Sequence, residues 1–149
     1  MTFADFLALA RTKTYAIPYG EPLGDNTEHM AFDHGDWRYR DRYTGHNPYG
    51  GQELVWFQGQ TVWMKNYLAQ VLSDICPMDD IYDFQRHALG QPDPNHLMRG
   101  PALVEQGSFR YTNEISRDIQ QFAGTETIWF GSTPVYRMVL HGGALRPLP

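Results

Sequence analysis

The chain has a single cysteine, Cys76, in 149 residues. It can form no intrachain disulfide, and a lone thiol suits a reducing interior. No apolar run approaches the roughly 20 residues of a membrane-spanning helix. The N-terminus, Met1-Thr-Phe-Ala-Asp, has no basic segment ahead of an apolar one, so no signal peptide is expected. Positive charge is also scarce: 12 Lys and Arg stand against 17 Asp and Glu, a formal net charge of −5. That deficit argues against a broad phosphate-binding surface, and no nucleic-acid partner is expected. No Gly-x-Ser-x-Gly elbow, phosphate loop or dinucleotide fingerprint occurs, and no cofactor is implied. These absences predict a cytoplasmic protein with no membrane partner. The length fits one domain over residues 1–149.

Aromatic side chains, by contrast, are abundant at 14%, and the second half of the chain repeats the first. Gly35-Asp-Trp-Arg-Tyr-Arg-Asp-Arg-Tyr43 reappears as Gly107-Ser-Phe-Arg-Tyr-Thr-Asn-Glu-Ile115. Gly51-Gln-Glu-Leu-Val-Trp-Phe57 reappears as Gly124-Thr-Glu-Thr-Ile-Trp-Phe130. Seven of these sixteen positions are identical. Two copies this long do not make a solenoid; they read as one duplicated supersecondary unit, with repeats at about 3–72 and 78–145.

Each unit begins with a helix. Thr2 is a fair N-cap, and Phe3, Phe6, Leu7 and Ala10 share one face, which predicts a helix over about 3–13. Met78, Ile81, Tyr82 and Leu89, between Pro77 and Gly90, predict a second over 78–89. The Pro-, Gly- and Asp-rich stretches 17–34 and 90–105 read as loops. Period-two alternation puts Trp37, Tyr39, Asp41 and Tyr43 on one buried side of a strand and Arg38, Arg40 and Arg42 on the exposed side. A turn at 45–51 leads to strands over 53–57 and 61–68, with Gln58-Gly59-Gln60 as the hairpin connection. The second unit predicts strands near 108–115, 125–131 and 134–141. The fold class is therefore α+β: two tandem helix-plus-three-strand repeats forming a pseudo-twofold antiparallel sheet, with the helices on one face. Glu53, Val55 and Phe57 oppose Leu54 and Trp56, so both sides of this strand are apolar and both faces are expected to be covered.

Glu53 and Glu126 enter apolar strands at matching points, each two residues after a Gly. A carboxylate among buried aromatics is costly unless paired, and burial would raise its pKa, which suits an acid–base group or a counter-ion. The competing reading is a strand-end carboxylate that accepts turn N–H groups or a neighbouring Arg. Asp41, matched by Asn113, is either a buried structural hydrogen bond or a ligand contact. Asn66 and Tyr67 have apolar counterparts in Val139 and Leu140, which marks the first copy as the more specialised. His29, Asp33, His34, Asp36 and His46 match no compact metal pattern, so no metal site is expected. His141 reads as a surface residue rather than a strand-end proton donor. Cys76, beside Pro77, reads as a small buried side chain rather than an activated thiol.

Thr14-Tyr15-Ala16, Tyr39-Arg40-Asp41, Gly51-x-Glu53-x-Val55, Trp63-x-x-Asn66-Tyr67, Arg99-Gly100-Pro101, Phe122-x-Gly124-x-Glu126 and His141-Gly142-Gly143 occur in this order. Together they resemble a bacterial domain family of unknown function, found alone and also behind helix-turn-helix DNA-binding domains. Met64, Lys65 and Ala69 depart from it, where the family would have small or Met residues and a Gly. The duplicated, aromatic-rich architecture with a central Glu is also similar to the GyrI-like effector-binding domains. That likeness implies a cleft between copies for cationic aromatic ligands.

The leading expectation is a domain that binds a small-molecule ligand, cationic or aromatic, between the two repeats. Tyr39, Trp63, Tyr67 and Tyr111 would line the pocket, with Asp41, Asn66 and Arg99 contributing polar contacts. Glu53 and Glu126 would border it, at least one with a raised pKa. The first alternative is a small hydrolase or isomerase with Glu53 or Glu126 as general acid–base. The second is an interaction protein that forms a homodimer through an aromatic sheet face.

Overall fold

The computed structural model describes residues 1–149 except Ala16, Pro18, Pro92 and Arg117. The described residues form two helices, α1 (Phe3–Thr14) and α2 (Met78–Leu89), and one antiparallel sheet of nine strands. The strands are β1 (Glu21–Pro22), β2 (Glu28–His34), β3 (Trp37–Gly45), β4 (Tyr49–Phe57), β5 (Gln60–Val71), β6 (Leu103–Gln106), β7 (Phe109–Ile115), β8 (Gln121–Phe130) and β9 (Thr133–Ala144). Their order across the sheet is β1-β2-β3-β4-β5-β9-β8-β7-β6. The two halves therefore meet at the β5–β9 ladder, where Leu68 is paired with Val139. Neither helix is long and apolar enough to cross a membrane.

Both helices match the positions expected from sequence. Thr2 caps α1: the Asp5 N–H donates to Thr2 Oγ1 at 3.2 Å, and the Thr2 N–H donates to the Asp5 carboxylate at 3.0 Å. That capping box satisfies otherwise orphaned first-turn donors. α2 lacks a side-chain cap but carries Asp79 and Asp80 in its first turn and Arg86 and His87 in its last, the charge order that a helix dipole favours.

The two segments expected to be loops each contain a strand. β2 pairs with β3 along its length, and β6 pairs with β7. Their side chains are mostly half-buried or exposed, so neither carries the apolar alternation by which a strand is recognised from sequence. The expected turn over 45–51 is also shorter, because β4 begins at Tyr49.

Alternation in β3 follows the expected phase. Trp37, Tyr39 and Asp41 are buried and Arg38 and Arg42 exposed, with Tyr43 and Arg40 half-buried. Both helices lie on the Trp37–Tyr39 face. Phe6 of α1 stacks on Trp37 with ring centroids 5.1 Å apart, Phe3 packs on Trp63 at 5.7 Å, and Phe84 of α2 stacks on Phe109 at 5.0 Å. Such aromatic contacts add to the large apolar area these residues bury.

The opposite face is not covered by a second layer, contrary to the expectation of two covered faces. Leu68 and Val139 are 62% and 56% exposed there. Trp129 on that side is sheltered by its strand neighbours: it donates to Thr112 Oγ1 at 3.1 Å and lies under the Arg110 guanidinium. An alternation that is apolar on both sides reflects this lateral packing and not a second layer.

Candidate functional site

The helix-covered face carries a row of buried polar groups across its middle. Asp41, Glu53 and Lys65 are successive cross-strand partners on β3, β4 and β5. Asn113, Glu126 and Met138 are the corresponding partners on β7, β8 and β9. Glu53, Lys65 and Glu126 have no exposed surface. Each ladder also carries a register shift just beyond the Glu, at Val55/Trp56 and at Ile128/Trp129.

Glu53 is held by two cations and a phenol. Lys65 forms an ion pair with it, Arg11 Nη2 lies at 3.2 Å, and the Tyr15 hydroxyl donates at 2.8 Å. Lys65 also donates to the Tyr15 oxygen at 3.2 Å and to the Met98 carbonyl at 3.1 Å. The Tyr15 ring in turn faces three cations: Arg99 at 5.2 Å, Arg11 at 5.6 Å and Lys65 at 5.9 Å from its centroid. Cation–π attraction strengthens when such groups are removed from water.

Glu126 has a different escort. Arg99 Nε donates to it at 2.8 Å, Tyr111 at 2.6 Å, Tyr136 at 3.0 Å and Gln85 at 3.3 Å. Met138 supplies no charge, so Arg99 arrives from the loop as the cation. The loop is anchored by a turn in which His96 Nδ1 lies 2.7 Å from the Asp93 carboxylate, and by Asn113 donating to the Gly100 carbonyl at 2.7 Å.

These partners overturn the expectation of a raised glutamate pKa. Burial alone would push Glu53 up, but the charges of Lys65 and then Arg11 outweigh it and hold the carboxyl below its usual range. Glu126 is likewise lowered, with Arg99 the main counterweight to burial. Lys65 moves down because burial outweighs the pull of Glu53. The carboxyl that is raised is Asp41, to about 7, by burial and then by the charge of Glu53. Its described partner is the Tyr67 hydroxyl at 2.7 Å. Gly51 gives that hydroxyl room: a Cβ there would lie 2.5 Å from the Tyr67 oxygen.

Of the residues expected from sequence, Tyr39, Asp41, Glu53, Trp63, Tyr67, Arg99, Tyr111 and Glu126 all come to this face. Asn66 does not. It follows Lys65 in a strand and so points to the opposite face, where Gln52 donates to it at 2.8 Å. Nor do the glutamates line either of two clefts among the described residues. A cleft of about 380 Å³ is lined by Phe3, Leu97, Met98, Ile119 and Leu148 among others. Another lies between Asn47 and the Val71–Met78 segment. Both glutamates are fully buried behind their ion-pair partners.

Sequence reasoning missed Arg11, Tyr15, Lys65, Gln85 and Tyr136 as members of the cluster. Signals for three of them existed. Arg11 continues the Phe3–Leu7–Ala10 stripe of α1, and Gln85 falls between Ile81 and Ala88 on the buried side of α2. Lys65 shares the inward phase of Trp63 and Tyr67. A long polar side chain within an apolar stripe implies a buried partner.

Not every polar group in the cluster is matched. Arg11 Nε and Nη1, Tyr39 Oη and Trp63 Nε1 are buried without a hydrogen-bond partner among the described residues. All belong to the Glu53 side. Buried polar groups are paired in the great majority of cases, so four free donor atoms in one neighbourhood, against Arg110 Nε alone in the second half, distinguish this half.

The family model described as "Domain of unknown function (DUF5680)" matches residues 41–145, and the chain belongs to that family. No curated protein and no solved structure matches it.

Proposed function

We propose that this chain is a small-molecule-binding domain, with its ligand held on the helix-covered face beside the Glu53 cluster. The observation that carries this reading is the set of unmatched buried donors on Arg11, Tyr39 and Trp63. A core evolved for stability alone would satisfy them or replace them with apolar groups, because an unpaired buried donor costs roughly 1–3 kcal/mol. A binding site tolerates that cost, since the ligand supplies the acceptors. The resemblance to effector-binding domains expected from the sequence points the same way. Two halves descended from a duplicated unit would explain why the neighbours of Glu126 are matched while Arg11, Tyr39 and Trp63 around Glu53 keep free donors: one copy kept the structural arrangement while the other specialised.

The carboxylates do not favour a cation. Arg11, Lys65 and Arg99 already neutralise Glu53 and Glu126, so the cationic ligand suggested by the acidic pair is dropped from this reading. The experiment is native mass spectrometry of the protein as isolated from its producing cell. A bound small molecule that is released on denaturation is the expected result. A clean apoprotein mass, with no binding from a metabolite library, would end the proposal.

A catalytic reading is favoured by one observation, the position of Asp41. With a pKa raised to about 7, it is the acid–base group matched to neutral pH. Glu53 and Glu126, both lowered and fully hydrogen-bonded, are not. Turnover of the co-purified compound, lost in Asp41→Asn, would establish this second reading.

A further inference from the structure

Resting on the binding reading above, we propose that the ligand is a small organic acid. Its carboxylate accepts hydrogen bonds from Arg11, Tyr39 and Trp63, and its apolar body lies in the cleft lined by Phe3, Leu97, Met98, Ile119 and Leu148. The free groups are all hydrogen-bond donors: a guanidinium edge, a phenol and an indole N–H. Guanidinium and indole N–H groups have no acceptor capacity, so the matching ligand group must accept. A carboxylate accepts several bonds at once, and charge-assisted bonds are the strong ones.

Position supports the same assignment. Tyr39 and Trp63 flank Val55 across the β3–β4–β5 ladders, and the Arg11 guanidinium lies 6.0 Å from the Trp63 ring centroid. Two residues join this place to the cleft. Phe3 lines the cleft and packs on Trp63 at 5.7 Å. Met98 lines it too, and its carbonyl accepts from Arg11 at 2.8 Å. The cleft walls are mostly apolar side chains, suited to an aryl or short alkyl body.

Charge supports it as well. Arg11, Lys65 and Arg99 are set against Glu53 and Glu126, and Asp41 decides the balance. Burial raises Asp41 toward neutrality, so at mildly acidic pH three cations oppose two carboxylates. One negative ligand charge completes the set. Asp41 interacts with Tyr39 and Tyr43 on its own strand, Glu53, Lys65 and Tyr67 from the neighbouring strands, Tyr15 beyond α1, and Arg99 from the loop. As pH rises through about 7, Asp41 gains its charge and Lys65, lowered by burial, loses its own. Both changes repel an acid, so affinity for an acid falls across that interval.

The test compares phenylacetate, phenylacetamide and 2-phenylethylammonium, which share a body and differ in charge, by tryptophan fluorescence or calorimetry on the full chain. Phenylacetate is expected to bind roughly tenfold or more tightly than the amide at pH 6, with the ammonium compound not binding. Its affinity is expected to fall by about tenfold between pH 6 and pH 8. Tyr39→Phe removes only an unmatched donor, whereas Trp63→Phe also shrinks a fully buried ring that packs on Phe3 and Phe122; each is expected to weaken phenylacetate by about fivefold or more, with Tyr39→Phe the cleaner test. Far-ultraviolet circular dichroism of both variants checks the fold. Equal binding of acid and amide, preference for the ammonium compound, or unchanged affinity in Tyr39→Phe would overturn the acid assignment. The native mass spectrum separates the two failures. A co-purified neutral or cationic compound leaves the binding reading standing and removes this one. No adduct and no binding by any of the three probes removes both.

Discussion

Tyr39 and Tyr111 are both fully buried and each is paired across its strand, with Val55 and Ile128 respectively. Only the Tyr111 hydroxyl has a partner: it donates to Glu126 at 2.6 Å, while the Tyr39 hydroxyl has none among the described residues. Removing the two hydroxyls should therefore have unequal effects. Tyr111→Phe loses a hydrogen bond to a charged group and is expected to cost about 1.5–3 kcal/mol in urea unfolding. Tyr39→Phe removes an unmatched buried hydroxyl, and the ligand-free protein is expected to lose no stability and to gain up to about 1–3 kcal/mol. Equal losses in the two variants would mean that the Tyr39 hydroxyl has a tight partner after all.

Lys65 stands opposite Glu53 where Met138 stands opposite Glu126, so Lys65→Met tests how far the first half depends on its own cation. Arg11 and Tyr15 would stay with Glu53, but the buried carboxylate would lose one of its two ion-pair partners. Breaking such a pair costs about 3–5 kcal/mol. Lys65→Met is expected to fall in that range, and Glu53→Gln added to it should recover part of the loss. A double-mutant cycle reads the coupling directly, with about 1–3 kcal/mol expected for side chains in contact. Additive losses would show that the two charges act independently.

The sequence made the sheet centre legible and its edges obscure. The central strands are legible because each carries a run of aromatic and aliphatic residues whose inward side is buried, as in β3 and β5. The outlying strands β1, β2 and β6 bury little, so nothing in their composition separates them from loop. Pairing of Glu53 and Glu126 with polar partners could be anticipated from the cost of burying charge. The direction of their pKa shifts could not, since it depends on Arg11 and Lys65 reaching the same carboxylate from a helix and a strand. Asn66 was misplaced for a simpler reason. Period two puts it opposite Lys65 and Tyr67, and grouping it with Tyr67 set that phase aside.

Gly51 separates a merely flexible position from a required one. A Cβ at this residue would lie 2.5 Å from both the Arg42 carbonyl oxygen and the Tyr67 hydroxyl. The carbonyl belongs to the neighbouring strand and cannot yield without disturbing the ladder. Gly51→Ala is expected to cost about 1–3 kcal/mol, the usual range for overpacking, and to displace Tyr67 from Asp41. The tyrosine ring resonances in an NMR spectrum would report that displacement. Unchanged stability together with an unchanged Tyr67 environment would contradict the close approach.

Asp41 gives the protein an unusual pH dependence. Its carboxyl is raised from 3.8 to about 7, so between those values the folded chain holds a proton that the unfolded chain has released. Stability from this group is full below the unfolded value and is lost as pH rises through about 7. The glutamates have the opposite sign: Glu53 and Glu126 are lowered, so their contribution is present above about pH 4.5 and lost as pH falls. The Asp41 effect is therefore best read between pH 5 and pH 7, above the range in which the glutamates titrate. In that window wild-type stability is expected to decline by on the order of 2 kcal/mol, given at most about 1.4 kcal/mol per pH unit for one proton. Asp41→Asn keeps an oxygen that can accept from Tyr67 and carries no titratable proton, so this decline should vanish in the variant. Urea midpoints measured at several pH values make the comparison. A variant profile parallel to wild type would place the raised pKa elsewhere and remove Asp41 as the acid–base group.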